Sequence, residues 1–192
     1  INNNGFFLYI RAASGKGYRP LIIPSPTTGT TYAWAINFRY SARIEGLTLD
    51  ASQPTGGVRN RYLSVYNGAS LWVKDCEVVH DRGSAFALLS DSCSIYIEDC
   101  FIHSIGHPQS VGGNGRVVDI RPTSIQDSIV VVNTTFFNLT DRIVRNIGTR
   151  VNYMKFDHCT GLTDEGYHGG LQAGKTGELI VTNNIFYNQI AY

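Results

Sequence analysis

Ile95-Tyr96-Ile97-Glu98-Asp99-Cys100-Phe101-Ile102 joins two short alternating runs through an aspartate and a small residue. The pattern is apolar, any, apolar, any, then Asn, Asp, Gly or His, a small or polar residue, any, apolar. It returns in Leu71-Trp72-Val73-Lys74-Asp75-Cys76-Glu77-Val78 and in Ile129-Val130-Val131-Val132-Asn133-Thr134-Thr135-Phe136. Met154-Lys155-Phe156-Asp157-His158-Cys159-Thr160-Gly161 and Leu179-Ile180-Val181-Thr182-Asn183-Asn184-Ile185-Phe186 are further copies, and Ile44-Glu45-Gly46-Leu47-Thr48-Leu49 reads as a shortened one. The corner residues Gly46, Asp75, Asp99, Asn133, His158 and Asn183 are separated by 29, 24, 34, 25 and 25 residues. A period of this size, with insertions, belongs to a solenoid.

Alternation with period 2 marks strands on both sides of each corner, and Asn, Asp and Gly suit the left-handed backbone of a tight bend. A third strand is predicted after each variable loop: Tyr62–Val65, Ala85–Leu88, Val117–Ile120, Arg142–Arg145 and Gly170–Ala173. The expected architecture is therefore all-β: a right-handed parallel β-helix of about six coils with three parallel sheets, forming one domain over residues 1–192. No segment carries a 3.6-residue apolar period with helix caps. A β-sandwich would need hairpin turns, whereas here one motif returns at one offset. The ends, an Asn-rich start and a strand-like finish, read as those of a fragment of a longer chain.

Composition narrows the function. Sixteen basic and fifteen acidic residues leave a net charge of +1, without the basic excess that nucleic-acid binding needs. No apolar run reaches the roughly 20 residues that span a bilayer, so no membrane insertion is expected. Four cysteines are too few for a disulfide scaffold; Cys76, Cys100 and Cys159 share one slot with Thr134 and Asn184 and read as inward packing groups. Asn133, Asn138, Asn183, Asn184 and Asn188 read as corner asparagines that satisfy backbone groups.

Equivalent positions of successive coils should stack about 4.8 Å apart. The outward rows Trp72, Tyr96, Val130, Lys155, Ile180 and Val79, His103, Phe137, Leu162, Tyr187 are too apolar for bare sheet faces. A loop, a further domain, a second chain or a sugar chain stacked on the aromatics is expected to cover them, which makes Tyr187 a candidate substrate-binding residue.

Ionisable residues crowd the loops before the third strand. Asp119, Arg121, Asp141, Arg142, Arg145, Asp164, Glu165 and His168 are expected to meet in one groove. Such a mixture suits an acidic polysaccharide. Elimination across a uronate removes the C5 proton while charge builds on the carboxylate, so it needs a base and a cation. Arg121 and Arg145 are the candidate neutralising cations and His168 the candidate base. Asp119 and Arg142 are candidate substrate contacts, and Asp119, Asp141 and Asp164 are candidate ligands for a possible Ca²⁺. A neighbouring Asp-Arg pair is also commonly a surface ion pair.

Phe156-Asp157-His158-Cys159-Thr160 and Val181-Thr182-Asn183-Asn184-Ile185-Phe186-Tyr187-Asn188 resemble the coils of the pectate-lyase-like superfamily of right-handed parallel β-helices. Ile44–Asp50, preceded by Arg19-Pro20-Leu21-Ile22-Ile23, is similar to the early coils of its secreted bacterial members. That family holds pectate, alginate and chondroitin lyases, polygalacturonases and phage tailspikes, besides non-catalytic surface proteins. The resemblance implies an extracellular or cell-surface domain that binds, and in its lyase members cleaves, polysaccharide. A non-catalytic adhesion module and the scaffold part of a larger enzyme are the alternative readings.

Overall fold

The computed structural model describes residues 5–15, 17–23, 36–52, 61–106, 114–121, 125–163 and 170–187. The chain winds as a right-handed solenoid whose rungs each contribute a strand to every sheet. The first rung is β1 (Leu8–Arg11), β2 (Leu21–Ile22) and β3 (Ile36–Phe38); the second is β4 (Ala42–Glu45), β5 (Thr48–Asp50) and β6 (Arg61–Val65). The third is β7 (Ser70–Lys74), β8 (Glu77–Val79) and β9 (Ser84–Leu88), and the fourth β10 (Ser94–Glu98), β11 (Phe101–Ile105) and β12 (Arg116–Ile120). The fifth is β13 (Gln126–Val132), β14 (Thr135–Leu139) and β15 (Val144–Asn146). Two further rungs add β16 (Arg150–Asp157), β17 (Thr160–Thr163), β18 (Lys175–Thr182) and β19 (Ile185–Tyr187) to the first two sheets. Those sheets therefore have seven strands each and the third has five, all parallel. Among the described residues there is no helix, and hence none long and apolar enough to cross a membrane.

The corner between the first and second sheets is built from Gly46, Asp75, Asp99, Asn133, His158 and Asn183, all at positive φ between 46° and 72°. A non-glycine residue there costs about 1–2 kcal/mol, and neighbouring side chains offset the cost. Asn133 Nδ2 donates to Asp99 Oδ1 at 2.7 Å, and Asn183 Nδ2 donates to Asp157 Oδ1 at 3.1 Å. A further left-handed column, His80, Ser104 and Asn138, follows the second sheet, with Asn138 Nδ2 donating to Ser104 Oγ at 3.1 Å.

Register aligns the core. Leu71, Ile95, Ile129 and Met154 stack, as do Val73, Ile97, Val131 and Phe156, each at most 1% exposed. Each large side chain buried in this way contributes about 1.5–3 kcal/mol. Gly161 stands where Phe136 stands one rung earlier, because the Phe186 ring of the next rung fills the space a Cβ would need.

Six of the seven rungs carry the corners that the repeat predicts. The first escapes it because Ala12 to Pro20 replaces the single corner residue. The second is full length, since Ala42 pairs with Leu71 and occupies the first apolar position. The third strand of the fifth rung starts at Val144, two residues later than predicted, and Gly170–Ala173 contributes only a bridge between Leu171 and Val144.

The cysteine slot points inward as predicted. Cys76, Cys100 and Cys159 donate to the carbonyls of Lys74, Glu98 and Asp157 at 3.2, 3.1 and 3.4 Å, and Thr134 donates to Val132 O at 2.9 Å. Cys93 is equally buried. Burial pushes the Cys76 thiol up to about 11 and the Cys100 thiol up to about 12. A thiol-reactive dye at neutral pH should therefore label none of the four in the folded chain and all four in denaturant; prompt labelling of the native protein would contradict the packing.

Several carboxylates are held below their ordinary range. Asp157 is lowered chiefly by hydrogen bonds from Asn183, Thr182 and Lys155, and Glu77 chiefly by one from His103. A depressed carboxylate contributes its stability in full above its unfolded value, about 4, and loses it as pH falls. The thermal midpoint should drop between about pH 5 and pH 2, and Asp157→Asn should drop less steeply.

Candidate functional site

Loops between the second and third sheets deliver charge onto the outer face of the third sheet. Asp81 Oδ1 accepts from Gly83 N and Ser84 N at 2.8 and 3.0 Å, shaping the turn before β9. One rung on, Gly106 and Gly115 pass so close to Thr140 Oγ1 that a Cβ on either would collide with it, and this close approach requires glycine. Thr140 Oγ1 donates to Asn114 O at 2.8 Å, tying the turns of the fourth and fifth rungs together.

Ser64, Ala87, Asp119 and Arg145 form one row across the third sheet. Asp119 is fully buried, and three arginines meet it. Arg121 Nε donates to Asp119 Oδ2 at 2.7 Å, Arg116 Nη1 lies 3.7 Å from the same oxygen, and Arg145 Nη1 lies 3.6 Å from Oδ1. Asp141, also fully buried, accepts from Arg116 Nε at 2.8 Å and from Arg142 Nε at 2.9 Å. Arg142 Nη1 also donates to Gln172 Oε1 at 2.6 Å.

Among the described residues, four guanidinium groups against two carboxylates leave the cluster cationic. Burial pulls Arg116 below arginine's ordinary value, yet arginine titrates so high that it stays charged at neutral pH. Accessibility divides the arginines by role. The Arg116 and Arg142 side chains are 6% and 8% exposed and hold the aspartates, whereas Arg145 and Arg121 are 22% and 42% exposed. Arg121 uses only its Nε on Asp119, and Arg145 is too far from it for a hydrogen bond, so both retain donors for a ligand. An excess of positive charge with free planar donors attracts carboxylate or sulfate groups.

Asp119, Arg121 and Arg145 thus come together, with Asp141 and Arg142 beside them. Two roles change. Asp119 is covered by its arginines and anchors them, so it is no surface for substrate, and Arg142 is spent on Asp141 and Gln172. Tyr187 lies on the second sheet, 70% exposed at the end of the row that runs through His103, Phe137 and Leu162, and belongs to a different face. Asp164, Glu165 and His168 lie outside the described residues.

Asp119 and Asp141 do not suit Ca²⁺: guanidinium groups engage both carboxylates and would repel a divalent cation. Among the described residues no group of three His, Cys, Asp or Glu is arranged to hold a metal ion. Arg116 joins the site although the set of residues expected to meet in one groove leaves it out. Stacking the third strands of the fourth and fifth rungs would have revealed it, because the pairing of Val118 with Val144 brings Arg116 level with Arg142.

Fold and site together define a parallel β-helix with an arginine-rich outer face. No protein-family model matches the chain, and no curated protein or solved structure matches it.

Removing one member of this buried network strands the others. Asp141→Ala should lower the unfolding free energy by about 3–5 kcal/mol, because two buried arginines lose their counter-ion. Arg43→Ala, which breaks an exposed pair with Glu45, should cost less than about 1 kcal/mol. Equal losses in denaturant titrations would show that the Asp141 network carries no special weight.

Proposed function

We propose that the outer face of the third sheet binds an acidic polysaccharide, as the resemblance to pectate-lyase-like β-helices implies, and that the chain works outside the cell or at its surface. The observation that supports this best is the sharing of one buried carboxylate, Asp119, by Arg121 and Arg145. Asp119 fixes both guanidinium groups without using up their donors. A uronate carboxylate set against them would form charge-assisted, fork-like hydrogen bonds.

The same geometry suits β-elimination. A base removes the C5 proton, the electron pair forms the C4–C5 double bond, and the glycosidic C4–O bond breaks as its oxygen leaves with the departing chain. Charge gathers on the uronate carboxylate during proton removal, where Arg121 and Arg145 would stabilise it. His168 is the candidate base from the sequence.

A second reading has its own observation. Phe101, Leu162, Ile185 and Tyr187 on the second sheet are 41%, 39%, 67% and 70% exposed, a contiguous apolar strip that fits an adhesion or protein-interaction module.

The chain should be incubated with pectate, alginate and glycosaminoglycans, with and without Ca²⁺, while the ultraviolet absorbance of unsaturated uronate ends is followed. Growth of absorbance that falls about a hundredfold in Arg145→Ala would support elimination at this site. Binding without absorbance, weakened by Arg121→Ala and Arg145→Ala, would keep the polysaccharide and remove the reaction. Neither binding nor absorbance across the panel would overturn the proposal in favour of the interaction module.

A further inference from the structure

The left-handed column along the second sheet holds His80, Ser104 and Asn138, at φ 61°, 54° and 53°. In a regular strand neighbouring side chains point to opposite faces. The bend at Ser104 instead lets it meet the residue before it: Ser104 Oγ lies 3.1 Å from His103 Nδ1. The other ring nitrogen, Nε2, lies 3.1 Å from Glu77 Oε1 on the preceding rung, and Glu77 Oε2 accepts from Thr48 Oγ1, one rung earlier still, at 2.9 Å. From the following rung Asn138 Nδ2 donates to Ser104 Oγ at 3.1 Å. Consecutive rungs thus supply one hydrogen-bonded chain that centres on a hydroxyl.

The partners decide where the protons sit. An ionised carboxylate only accepts, and Glu77, held below its ordinary range chiefly by the bond from His103, is ionised at neutral pH. Neutral His103 therefore carries its hydrogen on Nε2, which leaves Nδ1 to accept and makes Ser104 the donor. The ring is also fixed in plane: Phe137 stacks on it with centroids 4.6 Å and planes 16° apart, and Phe101 lies 4.8 Å away. A hydroxyl bonded to one nitrogen of an imidazole, whose other nitrogen a carboxylate holds, is the arrangement that activates a serine nucleophile. Both His103 and Ser104 are half-buried rather than covered.

We propose that Ser104 is the nucleophile of an esterase site, with His103 as its base, Glu77 as the residue that positions the base, and a carboxylic ester with an apolar acyl chain as substrate. The site is separate from the arginine face of the third sheet and independent of what that face binds. Ser104 Oγ attacks the ester carbonyl carbon, and its proton passes to His103 Nδ1. The tetrahedral intermediate collapses, the alcohol leaves with that proton, and the acyl group stays on Ser104. Water then attacks the acyl carbon, gives a proton to His103 Nδ1 and releases the carboxylic acid as that proton returns to Ser104 Oγ. Asn138 Nδ2, already beside Ser104 Oγ, carries a second N–H to offer the oxyanion. The exposed side chains of Phe101, Leu162, Ile185 and Tyr187 continue the same outer face and offer apolar ground to the acyl chain.

Treating the whole chain with an alkyl fluorophosphonate, which phosphonylates activated serines, tests this directly. Mass spectrometry should find one adduct, on Ser104, and none in Ser104→Gly, a substitution that suits the positive φ. With p-nitrophenyl butyrate as substrate, His103→Gln should lower kcat about a hundredfold. Glu77→Gln should lower kcat with KM unchanged, because an amide no longer enforces the tautomer that accepts from Ser104. His80→Gln should change neither, which separates the site from the slow cleavage of activated esters by any exposed imidazole; the His80 side chain is 45% exposed and paired with Asp50. Unaltered melting profiles in these variants would tie the losses to chemistry. Absence of an adduct, an adduct that survives Ser104→Gly, or equal losses in His80→Gln and His103→Gln would each overturn the proposal.

Discussion

Each rung after the first turns from the first sheet to the second through one residue held at positive φ, and the solenoid stands on that repeated bend. Because Gly46, Asp75, Asp99, Asn133, His158 and Asn183 bend alike, each rung leaves the corner on the same heading as the one before it. Parallel pairing, aligned cores and ladders of like residues all follow from this equivalence. The five L-residues at the corner carry a backbone cost, and their side chains recover part of it by bonding along the column, as between Asn133 and Asp99. A corner of this kind is stable only in a stack, where the next rung supplies the partner.

Stacking also decides what a polar residue can do. Cys76, Cys100, Thr134 and Cys159 each find a carbonyl two residues back in their own chain, so the slot satisfies itself and the thiols are left with no chemistry to perform. The third sheet's outer row works in the opposite way. Asp119 and Asp141 pair with Arg121 and Arg142 close by in sequence and, across rungs, with Arg145 and Arg116, and none of these ions could be buried alone. A slot closed by backbone carbonyls gives buried packing, and ion pairs carried on across rungs give a charged face with donors to spare.

That contrast explains how much of the molecule is legible in the sequence. The corners are readable because a left-handed Asp, Asn or Gly interrupts alternation at a fixed offset, and the inward cysteine slot follows from the same offset. The first rung is not, because its corner is the excursion from Ala12 to Pro20. Ala42 is too weak an apolar signal to reveal the full length of the rung after it. At the site, Asp119, Arg121 and Arg145 are legible as neighbours, since all three belong to the third strands or their immediate flanks. Their roles are not, because burial depends on the register between rungs. The pairing of Asp119 with Arg145 rests on a register that the quartet Arg142–Arg145 misplaces by one residue. Chemistry alone groups Tyr187 with the site, and sheet membership separates them.

Ion pairs fasten the chain both at the third sheet and at the first corner, and the two places differ in what they leave exposed. The cluster on the third sheet is fastened by aspartates that are wholly covered, so among the described residues what it exposes is guanidinium. The first corner is fastened by Arg19 on an Asp75 whose side chain remains 57% exposed, so acid and base are both open to solvent there. Burying the anion beneath the cations leaves guanidinium groups in view, while leaving both members exposed gives a mixed surface. In each case the ion pair that holds the backbone in place also sets the charge of the surface around it, according to which member of the pair the fold leaves open to solvent.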